Sequence, residues 1–164
     1  MVSEVQAKSP PPPAGFGERT GAAFVDLGIS LAVLGSSVWL AILLFAAGGT
    51  VPIVAGALVI CGGIAIALLH TSLLMARGGE RNGQSIGKRA LDVRVVTTGG
   101  EPVGLGTCLV REVAVKQFGT LITGGLFLPV DYLWPLFDDE DRAIHDIVAE
   151  TRLVPASAPV GSVS

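Results

Sequence analysis

The alternation of apolar and polar positions divides the chain into a few long blocks. From Thr20 to Ala47 the only charge is Asp26, and Val51 to Ala76 holds no Asp, Glu, Lys or Arg at all. About 20 residues at a 1.5 Å rise cross the hydrocarbon of a bilayer, so each run predicts a transmembrane helix. The first run is too long for the apolar part of a secretory signal, and a proline-rich stretch precedes it, so we expect it to stay uncleaved. Gly48-Gly49-Thr50 and Pro52 supply turn chemistry between the runs. So short a connection predicts an antiparallel hairpin.

Beyond the hairpin the pattern changes. "RGGERNGQSIGKRA" (77–90) is polar and glycine-rich, as a loop is, and "LDVRVV" (91–96) alternates Leu91, Val93 and Val95 with Asp92 and Arg94, which predicts a strand. "TTGGEPVG" follows as a turn. From Leu105 a helical pattern returns, with Arg111, Glu112 and Lys116 on an apolar background. Phe118 to Phe137 is apolar except for Asp131, but Gly124-Gly125, Pro129 and Pro135 oppose one continuous helix. This third hydrophobic region either crosses once or forms a re-entrant or tight hairpin. The second arrangement is favoured because "TRLV" (151–154) is also strand-like. Two short strands satisfy their ladders by pairing, which needs one compartment. The expected organisation is a proline-rich tail over residues 1–15, a transmembrane domain over 16–154 and a second tail over 155–164. The expected fold class is an α-helical membrane protein: an antiparallel transmembrane hairpin, a third helical or re-entrant hydrophobic region, and a small cytoplasmic β pairing.

Composition agrees with this reading. Half of the 164 residues are hydrophobic and 15% are charged, against about 25% charged in soluble domains. The formal charge of -3 includes no basic tract, so nucleic acid is not an expected partner. Cys61 and Cys108 stand singly in apolar surroundings and suggest neither a disulfide framework nor a metal site. Lys8 and Arg19 precede the first run, and Arg77, Arg81, Lys88, Arg89 and Arg94 follow the second, whereas the turn between them is uncharged. The positive-inside rule therefore puts the N-terminus in the cytoplasm of a multi-pass plasma-membrane protein.

The polar residues inside these runs are the candidates for function. Arg19 and Asp26 are seven apart and share a helix face, about 10 Å apart along the axis. A carboxylate alone in lipid costs about 2.5–3.5 kcal/mol on an insertion scale, so Asp26 needs a partner or water. Counting from the turn puts His70 at a similar depth, and we expect Asp26 to pair with His70 or Arg111 and Arg19 to lie at headgroup level. Asp26 is then either an interhelix anchor or a titrating group, and His70 alone is better read as a packing or interfacial histidine. Asp131 suits a turn or cap, or an offset for Arg111 or Lys116. Arg142, His145 and Asp146 in "RAIHD" read as a cap or clamp, since no nucleophile motif accompanies them. "NGQSIGKRA" lacks the spacing and the Ser or Thr of a phosphate loop, so no nucleotide is expected. No catalytic residue, metal ligand or cofactor is expected.

Four blocks carry a family resemblance: Arg19 and Asp26 in the first helix, "GQSIGKRALDVRVV" (83–96), "GEPVGLGTCLVREV" (100–113) and "DDEDRAIHDIVAETRLV" (138–154). Together they resemble the RDD family of prokaryotic membrane proteins over about residues 16–154. The resemblance makes Arg19 the family arginine and Asp26 its first aspartate, with the second at Asp131 or Asp146. Many relatives are basic where this chain has "DDED". The resemblance implies an integral membrane protein and, through a few relatives, cation or proton exchange. Two functions follow as expectations: a non-enzymatic accessory or assembly protein working in the bilayer with another membrane protein or its own copies, or an oligomeric cation/proton antiporter using Asp26.

Overall fold

The computed structural model describes residues 12–158, and the two tail assignments fall largely on residues outside that range. Helix α1 (Phe16–Ala47) and helix α2 (Thr50–Met75) dominate the architecture. Glu18 starts α1 by accepting the Gly15 backbone N–H at 3.0 Å. The reversal into α2 takes place at Gly48 (φ 69°) and Gly49 (φ 84°), left-handed positions that glycine occupies without Cβ strain. The two helices pack antiparallel. A Cβ on Gly56 would lie 2.5 Å from the Phe45 ring, and one on Gly63 2.2 Å from Ser37 Oγ. The small face of α2, Gly56, Gly63 and Ala67, is therefore the face that meets α1. Gly28 and Gly35 of α1 have no such neighbour among the described residues.

Little of this apolar surface is covered. In the most apolar stretch of α1 6% of residues are buried and in α2 17%, with mean hydropathies of 2.3 and 2.5. Phe24, Leu31, Trp39, Val51 and Leu58 are among the exposed side chains. An apolar surface this large matches a lipid environment better than water.

The rest of the chain builds a cap at the end of the hairpin remote from its turn. A 3₁₀ turn (Gly79–Arg81) leads to α3 (Ile86–Ala90), which lies on α1, and then to β1 (Val93–Thr97). Helix α4 (Leu105–Leu109) runs into a π-helical stretch (Val110–Gln117) and on into α5 (Phe118–Ile122). After a turn at 123–126, α6 (Phe127–Leu133) reverses direction so that Phe127 lies against Gly119. A 3₁₀ turn (Trp134–Leu136) follows, then α7 (Ile144–Val148) and β2 (Thr151–Pro155). The strands pair antiparallel, Val95 opposite Leu153. The first begins two residues later than the alternation suggests, because Leu91 ends α3 and Asp92 takes a left-handed φ of 52°.

Beneath the strands Ala22, Met75, Val93, Val95, Val103, Cys108 and Leu153 form the protein's own core. Backbone hydrogen bonds also tie Ala14 and Ala156 to this core. The Ala14 N–H bonds Leu153 O at 2.9 Å, and the Ala156 N–H bonds Asp92 O at 2.6 Å. The second continues the strand ladder by one rung, and the first satisfies the outer edge of β2.

Candidate functional site

Where the cap meets α1 and the π-helical stretch, charged side chains are buried together. Arg19 (4% exposed), Ala22 and Asp26 (6%) lie three and four residues apart, so one stripe of α1 faces the cap. The shared face inferred from their spacing is present, but the pairings differ from expectation.

Asp26 does not bind His70 or Arg111. Its Oδ2 accepts the Ser85 hydroxyl at 2.5 Å, its Oδ1 accepts the Gly87 backbone N–H at 2.8 Å, and Lys88 Nζ lies 3.7 Å away. The partner is the segment read from sequence as loop, folded so that α3 crosses α1. Gly87 makes that crossing possible, since a Cβ there would fall 2.1 Å from Ala22 O. His70 is half-buried beside the buried Thr71, and its Nε2 is enclosed without a hydrogen-bond partner. Its Nδ1 lies 3.2 Å from the carbonyls of Ile66 and Ala67 in its own helix. Equal depth did not bring the two side chains together.

Arg19 is paired within the cap. One terminal nitrogen pairs with Asp146 and the other donates to the Asp141 carbonyl at 2.8 Å. Asp146 is wholly buried and receives Arg111 as well, through Nη2 at 2.7 Å and Nε at 3.0 Å, together with the Thr151 hydroxyl at 3.2 Å. Arg111 Nη1 then donates to Glu112 at 2.9 Å, and Glu112 takes Lys116 at 2.8 Å and Lys88 at 3.4 Å. Lys88 closes the path back to Asp26. The π-helical stretch suits this arrangement because its wider turn lets the adjacent Arg111 and Glu112 both face inward.

Asp131 joins through His145. It accepts the His145 backbone N–H at 2.9 Å and the ring Nδ1–H at 2.5 Å, holding the first turn of α7 from outside. His145 Nε2 lies 3.0 Å from Arg111 Nη2. A guanidinium can only donate, so Nε2 is the acceptor and the proton sits on Nδ1. His145 is therefore neutral, and burial, against the pull of Asp146, keeps its pKa below the ordinary value of about 6.5. Burial works against the Asp146 carboxylate too, but Arg111 and Arg19 outweigh it and hold that group well below the carboxylate range. Four cations (Arg19, Lys88, Arg111, Lys116) thus face four carboxylates (Asp26, Glu112, Asp131, Asp146).

Arg142 stands apart: it bonds Asp138 at 3.2 Å in the surface turn before α7 and does not enter the network. Of the eight residues singled out from sequence, the structure gathers five into one cluster (Arg19, Arg111, Asp131, His145, Asp146) and sets Asp26 beside it through Lys88. The sequence reading missed Ser85, Lys88, Glu112 and Lys116. The Glu112–Lys116 spacing of four on an apolar background was the available signal. Among the described residues no group of His, Cys, Asp and Glu converges as a metal site.

The neutral His145 sets a pH dependence. The unfolded chain takes up a proton near pH 6.5 that the folded network resists, so stability is complete above that pH and declines as the pH falls below it. Asp146 adds its own loss only below the ordinary carboxylate range. Thermal unfolding of detergent-solubilised protein is expected to show a falling midpoint from pH 6.5 to 5. His145→Gln, which can still accept from Arg111 and donate to Asp131, is expected to flatten that interval.

Two long, exposed apolar helices capped by a small folded unit, with the intervening charges internally paired, mark a helical protein of membrane type. The family model described as the RDD family matches residues 13–150, and the chain belongs to that family. Searches of curated proteins and of solved structures return no match.

Proposed function

We propose that this chain is a non-enzymatic integral membrane protein of the plasma membrane that serves an accessory or assembly role. In this reading α1 and α2 span the bilayer as a hairpin with the N-terminus and the cap in the cytoplasm. The α5–α6 pair dips into the near leaflet and returns. Its exposed side chains, Phe118, Leu121, Ile122, Leu126 and Val130, support that insertion. Helical backbone within each arm satisfies its own polar groups, as hydrocarbon requires. Arg77, Arg81, Arg89 and Arg94 on the cap side support the orientation. Partners would be lipid and either further copies of this chain or another membrane protein.

The observation that carries this reading is the closed state of Asp26. An acid that exchanges protons along a transport path must face water at some stage. Asp26 is instead enclosed by a hydroxyl, a backbone N–H and an ammonium, and it fastens α3 to α1. A two-span chain that carried ions would also need copies of itself to enclose a pathway.

Proteoliposomes loaded with Na⁺ or K⁺ and a pH-sensitive dye test the proposal. No cation-coupled proton flux is expected from wild type above empty vesicles. Flux that disappears in Asp26→Asn would reverse the conclusion in favour of an antiporter, with an oligomer in mild detergent as its companion result.

A further inference from the structure

The cations of the network, and Arg142 and Arg152 at the surface, each have a carboxylate within ion-pair distance. Arg77, Arg81, Arg89 and Arg94 have none among the described residues. All four belong to the segment that follows α2, and its own acids, Glu80 and Asp92, pair with none of them. Arg94 donates to the Glu80 carbonyl at 3.1 Å. Arg77, Arg81 and Arg89 are exposed.

Arg77 and Arg89 also lie at one depth. Gly56 packs on Phe45 and Gly63 on Ser37, and this hairpin register carries Arg77 to the level of Ala23. In α3, Gly87 lies against Ala22 and the residue after the helix, Leu91, against Gly21, so Arg89 between them comes to the same level. Each arginine follows an exposed apolar side chain by about one helical turn: Leu73 four positions before Arg77, Ile86 three before Arg89. Residues at that spacing share a face, so Arg89 points outward with Ile86 while its neighbour Lys88 turns inward to Glu112. The headgroup layer beside the hydrocarbon is roughly 5–7 Å thick, close to one helical turn. With Leu73 and Ile86 in the hydrocarbon, the two guanidinium groups reach the phosphates.

We propose that Arg77 and Arg89 bind the phosphates of anionic phospholipids in the leaflet next to the cap. A guanidinium is always charged, and its fork fits a phosphate through two parallel N–H bonds. A headgroup with net negative charge is favoured over a zwitterionic one, whose ammonium offsets the phosphate. Arg81 adds to the same field. The inference rests on the reading of α1 and α2 as bilayer spans and adds the lipid that borders them.

The test offers full-length protein in maltoside an equimolar mixture of phosphatidylglycerol and phosphatidylcholine with the same acyl chains, and native mass spectrometry counts the adducts. Wild type is expected to prefer phosphatidylglycerol. An arginine beside an anionic surface contributes roughly a fivefold preference, so Arg77→Gln and Arg89→Gln should each lose that factor and the double variant more. Arg142→Gln, in the surface turn before α7, should keep the wild-type ratio. Raising ammonium acetate from about 0.1 M to 1 M shortens the screening length from about 10 Å to 3 Å and should reduce the wild-type preference. If the variants do not fold, this salt series decides with wild type alone. Equal binding of the two lipids, a preference indifferent to salt, or a folded double variant with the wild-type ratio overturns the proposal. Alkaline carbonate separates it from the reading beneath it. Protein washed out of vesicles overturns both, whereas protein that stays embedded and shows no preference overturns this inference alone.

Discussion

Asp146→Asn is expected to be among the most damaging single substitutions in the chain. The carboxylate is fully buried and holds two guanidinium groups, Arg19 from α1 and Arg111 from the π-helical stretch, as well as the Thr151 hydroxyl. An amide of the same shape keeps the packing and removes the charge. Two buried cations then lose their shared carboxylate, Arg111 keeping Glu112 and Arg19 only the Asp141 carbonyl, and breaking a buried pair in this way costs about 3–5 kcal/mol. Thermal unfolding in detergent should fall by roughly 10 °C at this chain length. The arginine side of the argument has its own check. Arg19→Met alone should also destabilise, but the double variant Arg19→Met, Asp146→Asn should lose less than the two single losses added together. Strict additivity would mean that the pair contributes nothing.

Gly87→Ala is expected to have an effect nearly as large by a different route. The added Cβ would lie 2.1 Å from Ala22 O and 2.9 Å from Asp26 Cγ, and the first of these is helix backbone that cannot swing aside. Helix α3 must lift from α1. Overpacking of this kind costs about 1–3 kcal/mol. Lifting α3 also stretches the Ser85 and Gly87 hydrogen bonds to the Asp26 carboxylate, and bonds to charged groups contribute about 1.5–3 kcal/mol each. Trypsin reads the outcome directly, because Lys88 and Arg89 lie within α3. Cleavage there should accelerate in Gly87→Ala and remain at the wild-type rate in Gly106→Ala, where a Cβ meets nothing within 4 Å. Equal cleavage in the two variants would show that α3 does not depend on its contact with α1.

Both predictions concern groups whose importance was only partly visible in the chain. Asp146 stood out as one member of "RAIHD", read as a cap or clamp, and in the structure it joins Arg19 to Arg111 while Arg142 stays outside. Gly87 drew notice for the wrong reason, as one glycine of a loop resembling a phosphate site. It serves instead to let two backbones touch. Lys88 and Glu112 were passed over because one polar residue in a loop and one in an amphipathic run are ordinary features. Their significance lies in being buried, and burial is not a local property.

The sequence by itself determined the apolar runs long enough for two spans, the tight reversal between them, the break in the third hydrophobic region and the existence of two strand segments. These follow from periodicity and turn chemistry over about ten to twenty residues, where neighbours in the chain are neighbours in space. It also required that Asp26 have a partner. Which partner was left to the tertiary structure, because a helix fixes depth and face but not what packs on that face. Ser85 reaches Asp26 across 59 positions, and Asp146 reaches Arg19 across 127. Those distances in the chain are closed only when the cap folds onto α1, and the charges then pair with the nearest opposite group that the cap supplies.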